Sequence, residues 1–293
     1  MAGNYFELAP VTINTSNTLA GIQSVNYDPR LEISSPDSDG SVTKLLPSVS
    51  VSKPILDIST LNVAAALGLM SASGTELPFL ALSSLKWYGR KANVNAPTFA
   101  GGSTTEQGLG SLGVMYMTGV EAMANKEATM GFRSLLASSD GTTHPVAWSQ
   151  VAAPADPTTI APYFLDSVTI DGNSVDEIVS ISLQGQITEQ NEIGMKVYPR
   201  LVRPRAVDWT VTVRHNDLTQ ERLLQAKNSS IAFVLKAGNA GSPTRGTGSI
   251  TFTVTGMIGG MGSSRGLGGP AAATHVCRGL RSGSNMPLTW VIV

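Results

Sequence analysis

Apolar and polar residues alternate along three stretches in the second half of this chain of 293 residues. The stretches are residues 179–184, 207–214 and 249–255, where every second side chain is Val, Ile, Leu, Phe or Trp and the side chains between are polar. A period of two is typical of antiparallel strands with one buried face and one polar face. A fainter alternation occurs at residues 49–51 and 114–116. The pattern therefore predicts a mainly β protein.

One helix is predicted in each half of the chain. Thr60, or the serine before it, can cap a helix over the Ala- and Leu-rich residues 61–67. Asp217, or the asparagine before it, can cap a second helix over residues 218–227. A single amphipathic helix beside a sheet buries its apolar stripe on that sheet or on a neighbouring subunit.

The end of the chain repeats an earlier passage. Two triplets share the order Gly, Pro, Trp and are separated by 142 positions: Gly141, Pro145, Trp148 and Gly283, Pro287, Trp290. A second echo, at 156 positions, relates residues 22–25 to residues 178–181 and the passage after Ile58 to the one after Arg214. Such internal repeats decide the domain organisation before any local motif does.

We therefore predict two similar β domains in tandem, over residues 1–150 and 164–293. The Pro-rich residues 151–163 lack alternation and form the predicted linker. Trp148 and Trp290 correspond by the repeat, and we expect each to pack as an anchor at a strand end within its own domain.

Charged residues cluster in and beside two long polar segments, residues 34–41 and 188–194, that we interpret as loops between paired strands. Loops of this length are commonly functional. The candidates for contacts between subunits or rings are Asp37, Asp39, Glu189, Glu192, Arg200, Arg203 and Arg205. Complementary charges at an interface rim would fix its register. Phosphate binding by the arginines and an ordinary solvated surface are the alternatives.

Two Gly-rich stretches, residues 101–113 and 256–269, precede the repeated Gly-Pro-Trp passages. The second lacks the Lys-Ser/Thr that follows a phosphate-binding loop. Because glycine raises the entropic cost of fixing a backbone, we expect the second stretch to be a mobile loop that orders on assembly.

Composition excludes several classes of function. Only 14% of residues are charged and the formal net charge is −1, so the whole chain gives no electrostatic reason to bind nucleic acid or an anionic membrane. No apolar run approaches the roughly 18 residues of a transmembrane helix. The first residues lack the basic and apolar regions of a signal peptide, so we expect a protein that is used without export.

The residues that usually carry chemistry are sparse. The three histidines, His144, His215 and His275, are scattered and show no metal-ligand spacing. The single cysteine, Cys277, excludes an intrachain disulfide framework and is expected to be a small buried apolar residue. We therefore expect no catalytic residue, no metal and no cofactor.

The order of elements over residues 164–293 resembles the phage tail tube protein family. The resembling passages are residues 164–168, 179–183, 199–201, 208–213, 218–227, 231–235, 249–254 and 287–289. An echo of the same pattern covers residues 20–150. The resemblance implies small β-sandwich or barrel-like domains with one flanking helix, which assemble into six-domain rings and stack through hairpin loops and terminal arms.

Two such domains in one chain resemble the fused tube proteins that form homotrimers with pseudo-sixfold symmetry. The resemblance implies a major tail tube subunit whose partners are further copies of itself, other tail proteins and viral DNA that passes without sequence-specific binding. It also implies a place in the virion after synthesis in the host cytoplasm, with no membrane partner. Strands that alternate Val or Ile with Ser, Thr or Gln suit a channel wall, because a lumen rich in Lys and Arg would hold DNA in place.

Two other functions remain open from the sequence. Another virion structural protein, such as a tail terminator, a minor tail protein or a capsid decoration protein, would share small β domains and low charge. A carbohydrate-binding β-sandwich module is less favoured, because aromatic residues make up only 6% of the chain.

Overall fold

The computed structural model of the chain describes residues 5–8, 10–34, 48–92, 105–151, 160–216, 227–239, 245–264, 272–281 and 286–293. Strands dominate this part of the chain, and every ladder between them is antiparallel. The prediction of a mainly β protein is confirmed. Asp37, Asp39 and the predicted helix over residues 218–227 lie outside the described residues, as does most of the predicted linker.

The described part of the first half, residues 5–151 without 9, 35–47 and 93–104, contains one helix and fourteen strands. They are β1 (Tyr5–Leu8), β2 (Val11–Ile13), β3 (Asn17–Leu19), β4 (Ile22–Asp28), β5 (Leu31–Ser34), β6 (Ser48–Ser52), β7 (Ile55–Thr60), α1 (Val63–Met70), β8 (Ser73–Thr75), β9 (Phe79–Leu82), β10 (Leu85–Ala92), β11 (Thr105–Gly110), β12 (Leu112–Met123), β13 (Thr129–Ala137) and β14 (Val146–Val151).

The described part of the second half, residues 160–293, contains eight strands. They are β15 (Tyr163–Ile170), β16 (Asn173–Val175), β17 (Ile178–Glu192), β18 (Leu201–His215), β19 (Lys227–Gly238), β20 (Arg245–Ser264), β21 (Ala272–Gly279) and β22 (Leu288–Ile292).

Helix α1 begins later than its sequence predicts. Thr60 is the last residue of strand β7 and not the residue before the helix. Its hydroxyl accepts a hydrogen bond from the backbone N–H of Asn62 at 3.0 Å. Asn62 is the residue before the helix and makes no side-chain cap. Val63, Ala66 and Leu67 bury one side of α1, as expected for a helix that packs on a sheet.

The same strand order occurs in both halves. In the first half the two orders are β14-β11-β10-β2-β3 and β12-β13-β7-β4. In the second half they are β22-β20-β19-β15-β16 and β20-β21-β18-β17. Strand β20 is continuous and corresponds to both β11 and β12, so it appears in both second-half orders. In the first half, Ser111 separates β11 from β12.

The ladders also agree in register. Ile58 pairs with Phe132 between β7 and β13, and at the corresponding place Val213 pairs with His275 between β18 and β21. The β4–β7 ladder shifts register after Ile22, and the β17–β18 ladder shifts after Ile178, which is 156 positions later. Strand order, pairing partners and the position of this bulge therefore coincide between the halves.

The correspondence refines the offsets that the sequence suggests. Strand β17 matches β4 at 156 positions, as predicted, but β18 matches β7 at 155 and the β20–β21 pair matches β12–β13 at 143. The predicted offset of 156 for the passage after Ile58 is therefore wrong by one residue. Turns and bulges of different length between the strands account for the changes in offset.

The predicted alternation matches the buried faces. Fully buried side chains from both halves form one core cluster, in which the three alternating stretches supply Ile181, Leu183, Trp209, Val211, Val213, Ile250, Phe252 and Val254. Burial of one face of each strand is what a period of two predicts.

Two predicted loops are strands instead. Residues 188–192 continue β17 and pair with β18 as far as Leu201, so only residues 193–200 connect the two strands. Residues 256–264 extend β20 and pair with β21. Hydrogen bonds to the neighbouring strand offset the entropic cost of ordering the glycines. A prediction from glycine content alone leaves these hydrogen bonds out and therefore favours a loop.

Candidate assembly site

The two halves meet edge to edge through β12 and β17. Residues 119–123 of β12 pair with residues 180–184 of β17, which continues the sheet from one half into the other. Val120, Ile181 and Leu183 bury the core face of this ladder. Gly119 allows the close approach, because a Cβ at this position would lie 2.4 Å from the carbonyl oxygen of Leu183.

A second ladder ties the end of the chain to the first half. Strand β8, which follows helix α1, pairs with β22, so that Gly74 lies opposite Trp290. The backbone N–H of Glu76 donates to the carbonyl oxygen of Leu288 at 2.8 Å, and the indole N–H of Trp209 donates to the carbonyl oxygen of Glu76 at 2.5 Å. We call the β12–β17 and β8–β22 ladders together the junction.

Beyond the junction, the hairpin of β17 and β18 extends over the first half. We call residues 187–207 of this hairpin the second-half arm. Val202 is buried in a cluster with Tyr116 and Leu135 of the first half, and Ile187 packs against the same cluster. The backbone N–H of Ser138 donates a hydrogen bond to the carbonyl oxygen of Pro199 at 2.8 Å. The arm is therefore a packed element of the chain and not a free loop.

Glu189, on this arm, lies in a network of polar side chains from the first half. Its carboxylate accepts from Arg30 at 2.6 Å, from the Tyr116 hydroxyl at 2.8 Å and from Arg133 at 3.4 Å. Arg133 also pairs with both carboxylate oxygens of Asp57, at 2.7 and 3.0 Å. The Glu189 side chain is only 12% exposed, so the carboxylate is engaged within its own chain.

The network changes the acidity of its members. Burial, followed by the negative charge of Glu189, raises the pKa of the Tyr116 phenol. Hydrogen bonding to Asp57 raises the pKa of the Arg133 guanidinium, against the opposing effect of burial. Tyr116 therefore stays a neutral donor, while Arg133 stays charged and holds the arm on the first half.

The remaining charged candidates lie on the surface of the arm. Glu192 and Arg203 approach within 3.8 Å, and both side chains are more than half exposed. Arg200 and Arg205 are also exposed. Arg203 and Arg205 line a groove of about 700 Å³ that contains Glu76 among its other residues. The structure thus brings Glu192, Arg203 and Arg205 to one exposed region, whereas it engages Glu189 inside.

Strands β17 and β12 of the junction have counterparts elsewhere in the chain. By the register correspondence, β4 matches β17, and residues 260–264 at the end of β20 match residues 117–121 of β12. In the described part of the chain β4 pairs only with β7, and residues 259–264 pair only with β21. Two edges that are joined in the middle of the chain therefore have no second partner strand at its two ends among the residues that the structure describes.

The arm has a counterpart as well. The β5–β6 hairpin, which we call the first-half arm, pairs Leu31 with Ser52, and the second-half arm pairs Ile187 with Val207 at the matching place. Both ladders then shift register one residue later. Leu31 and Ile33 are exposed in the first-half arm, whereas Ile187 packs on the other half of its own chain.

The two tryptophans of the repeat differ in their surroundings. Trp148 packs edge to face on Tyr27 and Trp87 of its own half, as predicted, but remains one of the exposed large side chains. Trp290 is buried and is covered by β8 of the other half, so the expectation that it packs within its own half alone is wrong. The sequence predicts the same burial for both tryptophans, because it does not reveal which strand lies over each of them.

Two of the scattered histidines are paired in space, which sequence spacing does not reveal. His215 Nε2 and His275 Nδ1 are 2.9 Å apart, and the rings stack with centroids 5.0 Å apart. Both residues are fully buried. Burial, together with the neighbouring His215, lowers the pKa of His275 to about 4. The sequence signal for this pair is that both residues continue the buried face of an alternating strand.

Cys277 is buried, as predicted, and burial raises its pKa to about 11. Among the described residues, no three His, Cys, Asp or Glu side chains are grouped so that they could hold a metal ion. No helix in the described part of the chain has both the length and the apolar character needed to cross a membrane.

Comparison with known proteins identifies no relative. No protein-family model matches the chain, and no curated protein matches its sequence.

Proposed function

We propose that the two halves are copies of one β domain and that the chain is the subunit of a ring-stacked tube, a virion tail tube. Shared strand order, shared register and shared bulges support the duplication. Within the chain, two similar halves are joined through different edges, β12 of the first and β17 of the second. Contacts of this head-to-tail kind between copies close into a ring when the rotation from one copy to the next allows it.

The observation that carries this proposal is the pair of open edges. The β12–β17 ladder joins an edge of the first half to an edge of the second half. Strand β4 repeats the β17 edge, and residues 262–264 of β20, which match residues 119–121 of β12, repeat part of the β12 edge. Pairing β4 of one copy with β20 of the next would repeat the internal ladder and cover both of these edges. Closure of this kind removes the aggregation risk of an exposed edge strand.

Apolar side chains are more deeply buried at the joined edge of β17 than at the corresponding edge of β4. Ile181 and Leu183 on β17 are buried under β12, whereas the corresponding residues of β4, Val25 and Tyr27, are only partly buried. Apolar side chains at an uncovered sheet edge favour a partner there, because their burial contributes roughly 25 cal/mol for each Å² removed from water.

The arms support contacts between neighbouring copies. The second-half arm lies on the first half of its own chain. We propose that the first-half arm lies in the same way on the second half of the adjacent copy, where Leu31 and Ile33 would be covered. The exposed Glu192, Arg200, Arg203 and Arg205, with Asp37 and Asp39, remain candidates for polar contacts between copies or rings. Glu189 acts instead as an internal anchor of the arm.

Three copies would give a ring of six domains, in agreement with the resemblance to the tail tube family. The face of the joined sheets opposite the core carries uncharged polar side chains, among them Ser24, Asn26, Ser59, Ser182 and Gln184, together with charged ones such as Asp57, Glu121 and Arg133. We propose that this face lines a channel through which viral DNA passes without sequence-specific contacts. The role is structural, with neither catalysis nor cofactor.

Negative-stain electron microscopy of the purified protein, and of virions labelled with antibody against it, tests the proposal. We expect rings with pseudo-sixfold end views and an axial repeat along the whole tail. Labelling only at one end of the tail would indicate a terminator or minor tail protein. Labelling on the head would indicate a decoration protein. Protein that remains monomeric at millimolar concentration, with no label on virions, would contradict the assembly function altogether.

A further inference from the structure

We propose that Met257, Gly259, Val276 and Leu280 form a receiving face for the first-half arm of an adjacent copy, with Ile33 of that arm against Val276. The inference rests on the ring proposed above and names the residues that would meet between the copies. It follows from the way in which the second-half arm lies on the first half of its own chain.

The two arms match residue by residue. In the first-half arm, residues 31–34 pair with residues 52, 51, 49 and 48, so that the ladder skips one residue. In the second-half arm, residues 187–190 pair with residues 207, 206, 204 and 203, and the ladder skips a residue at the same place. Leu31 therefore corresponds to Ile187, and Ile33 corresponds to Glu189.

The contacts of Glu189 identify where Ile33 would lie. Within the chain, the Glu189 carboxylate meets Tyr116 and Arg133, which pair with each other between β12 and β13. The β20–β21 pair matches β12–β13 at 143 positions, and there Gly259 pairs with Val276. An arm that lay on the second half in the same way would therefore place Ile33 beside Val276 and Gly259.

Both sides of this contact change from polar to apolar together. Within the chain a carboxylate meets a guanidinium and a phenol, whereas the matching positions hold Ile33 on the arm and Val276 with Gly259 on the sheet. No described atom of a neighbouring residue lies within 4 Å of a Cβ at Gly259, which leaves open space above β20. Ile33 is 62% exposed in the single chain, and its burial against an uncharged surface would stabilise the contact.

Each arm would fit only one of the two surfaces. Ile33 against Arg133, or Glu189 against Val276, would remove an ion from water without its partner, which is strongly unfavourable. Specific contacts commonly combine a favourable pairing with an unfavourable alternative of this kind. The internal contact and the contact between copies would therefore stay distinct.

Further exposed apolar residues surround this position. Met257 is 43% exposed and Leu280 is 49% exposed. Their counterparts at 143 positions, Val114 and Ala137, belong to the cluster on which the second-half arm packs. Arg278, which pairs with Met257, is exposed, so its aliphatic stem can extend the receiving face while its guanidinium stays in water.

The occupant is a second copy, because Ile33 of the same chain is too far away. The first-half arm follows β4, which is six strand positions from β21 in the sheet, a separation of about 29 Å at about 4.8 Å per strand. The described strand of the arm, Leu31–Ser34, spans only about 13 Å. Pairing of β4 with β20 of the next copy would bring the arm to the receiving face, as pairing of β17 with β12 brings the second-half arm to the first half.

Exchange of charges at the two central positions tests the inference. Ile33→Glu and Val276→Arg each place an unpaired charge in the contact, so each should raise the protein concentration needed for half-assembly by at least about 30-fold in sedimentation velocity. Together they recreate the pair that Glu189 and Arg133 form within the chain. The double variant should therefore recover at least about tenfold of this loss. The melting temperature of the dissociated chain should stay unchanged in every variant, because neither side chain is buried there.

Met195→Glu is the matched control, since it adds the same charge at an exposed apolar residue of the arm that is already packed. It should change the half-assembly concentration by less than about threefold. Single variants that assemble like the wild type, or a double variant no better than the weaker single one, would overturn the receiving face and leave the ring intact. A wild type that never assembles would contradict the ring itself.

Oxidation of methionine by dilute peroxide gives a second measurement on the unmodified chain. Met257 and Met195 are both exposed in the single chain, so both should form sulfoxide readily when it is dissociated. In the assembled protein, peptide mass spectrometry should show Met257 oxidising at least about tenfold more slowly while Met195 stays reactive. Equal oxidation of Met257 in the assembled and dissociated protein would overturn the inference.

Discussion

Trp148 and Trp290 are each the third residue of matching strands, yet one is exposed and the other lies beneath the backbone of Gly74. The difference does not come from the two residues or from their own strands. It comes from the neighbouring strand, because β8 of the first half pairs with β22, whereas the only described strand that pairs with β14 is β11. The two halves therefore differ in which of their matching surfaces are covered.

Enlarging Gly74 should damage the junction within a single chain. A valine here would force its Cβ against the Trp290 ring, which is buried and has no room to move. We expect a loss of about 1–3 kcal/mol in the free energy of unfolding, the usual cost of overpacking, measured by denaturant titration. Gly68→Ala is the matched control, since nothing lies within 4 Å of a Cβ at this helical position. It should leave stability unchanged or raise it by about 0.5–1 kcal/mol.

Glu189 should matter for the fold and Glu192 should not. Glu189→Gln removes the charge that Arg30, Tyr116 and Arg133 share. We expect a loss of about 1–3 kcal/mol in the free energy of unfolding, as for other hydrogen-bonded charges with limited exposure. The exposed pair of Glu192 and Arg203 should contribute less than about 0.5 kcal/mol when Glu192→Gln breaks it. Equal effects of the two variants would show that the Glu189 network is not an internal anchor.

The buried histidine pair should make stability depend on pH. Because the pKa of His275 falls from its ordinary 6.5 to about 4 in the folded chain, the unfolded chain binds a proton first as the pH drops. Stability should therefore be fully present above pH 6.5 and decline by about 1.4 kcal/mol per pH unit between pH 6.5 and 4.

A control for this pH dependence comes from the other half of the chain. The positions that correspond to His215 and His275 hold Thr60 and Phe132. The double variant His215→Thr with His275→Phe should lose the decline in unfolding free energy between pH 7 and pH 5. An unchanged slope would assign the pH dependence to other groups.

Cys277 should be protected from thiol reagents until the chain opens. Its side chain is buried and its pKa is raised to about 11, so little thiolate is present at pH 8 and none of it is accessible. We expect reaction with a chromogenic disulfide reagent to be at least about 100-fold slower than in denaturant. A native rate close to the denatured rate would contradict the burial of this strand.

Much of the fold could be predicted from the sequence. The alternating stretches marked the core faces of β17, β18 and β20 because period-two burial is a local property of a strand. The echoes between the halves anticipated the matching strands at both ends of each half. Local pattern failed where glycine ladders replaced predicted loops, because the pairing of β20 with β21 depends on residues distant in sequence.

The candidate site was less accessible to prediction. Spacing did not reveal that Glu189 meets Arg133, or that His215 meets His275, because each contact joins strands that are distant along the chain. Local clustering along the sequence points to the charged candidates, whereas the uncovered edges of β4 and β20 emerge only from the ladders of the two halves. An exposed tryptophan cannot be told from a buried one by its own sequence neighbours.

Cysteine cross-linking across the proposed ring contact tests the central claim most directly. In the junction, Glu121 of β12 pairs with Ser182 of β17, and the corresponding positions are Ser264 of β20 and Asn26 of β4. Opposite residues on paired strands bring their Cβ atoms to about 4.5–5.5 Å, within reach of a short bis-maleimide. Glu121→Cys with Ser182→Cys is the internal control and should link within one chain.

Cross-linking of the Asn26→Cys, Ser264→Cys double variant should give a ladder on denaturing gels that ends at three copies of the 30.6 kDa chain, with a closed species that has no free thiol at either position. Each single variant should give no ladder. A double variant that stays monomeric after treatment, while the internal control links fully, would contradict head-to-tail closure and the account built on it.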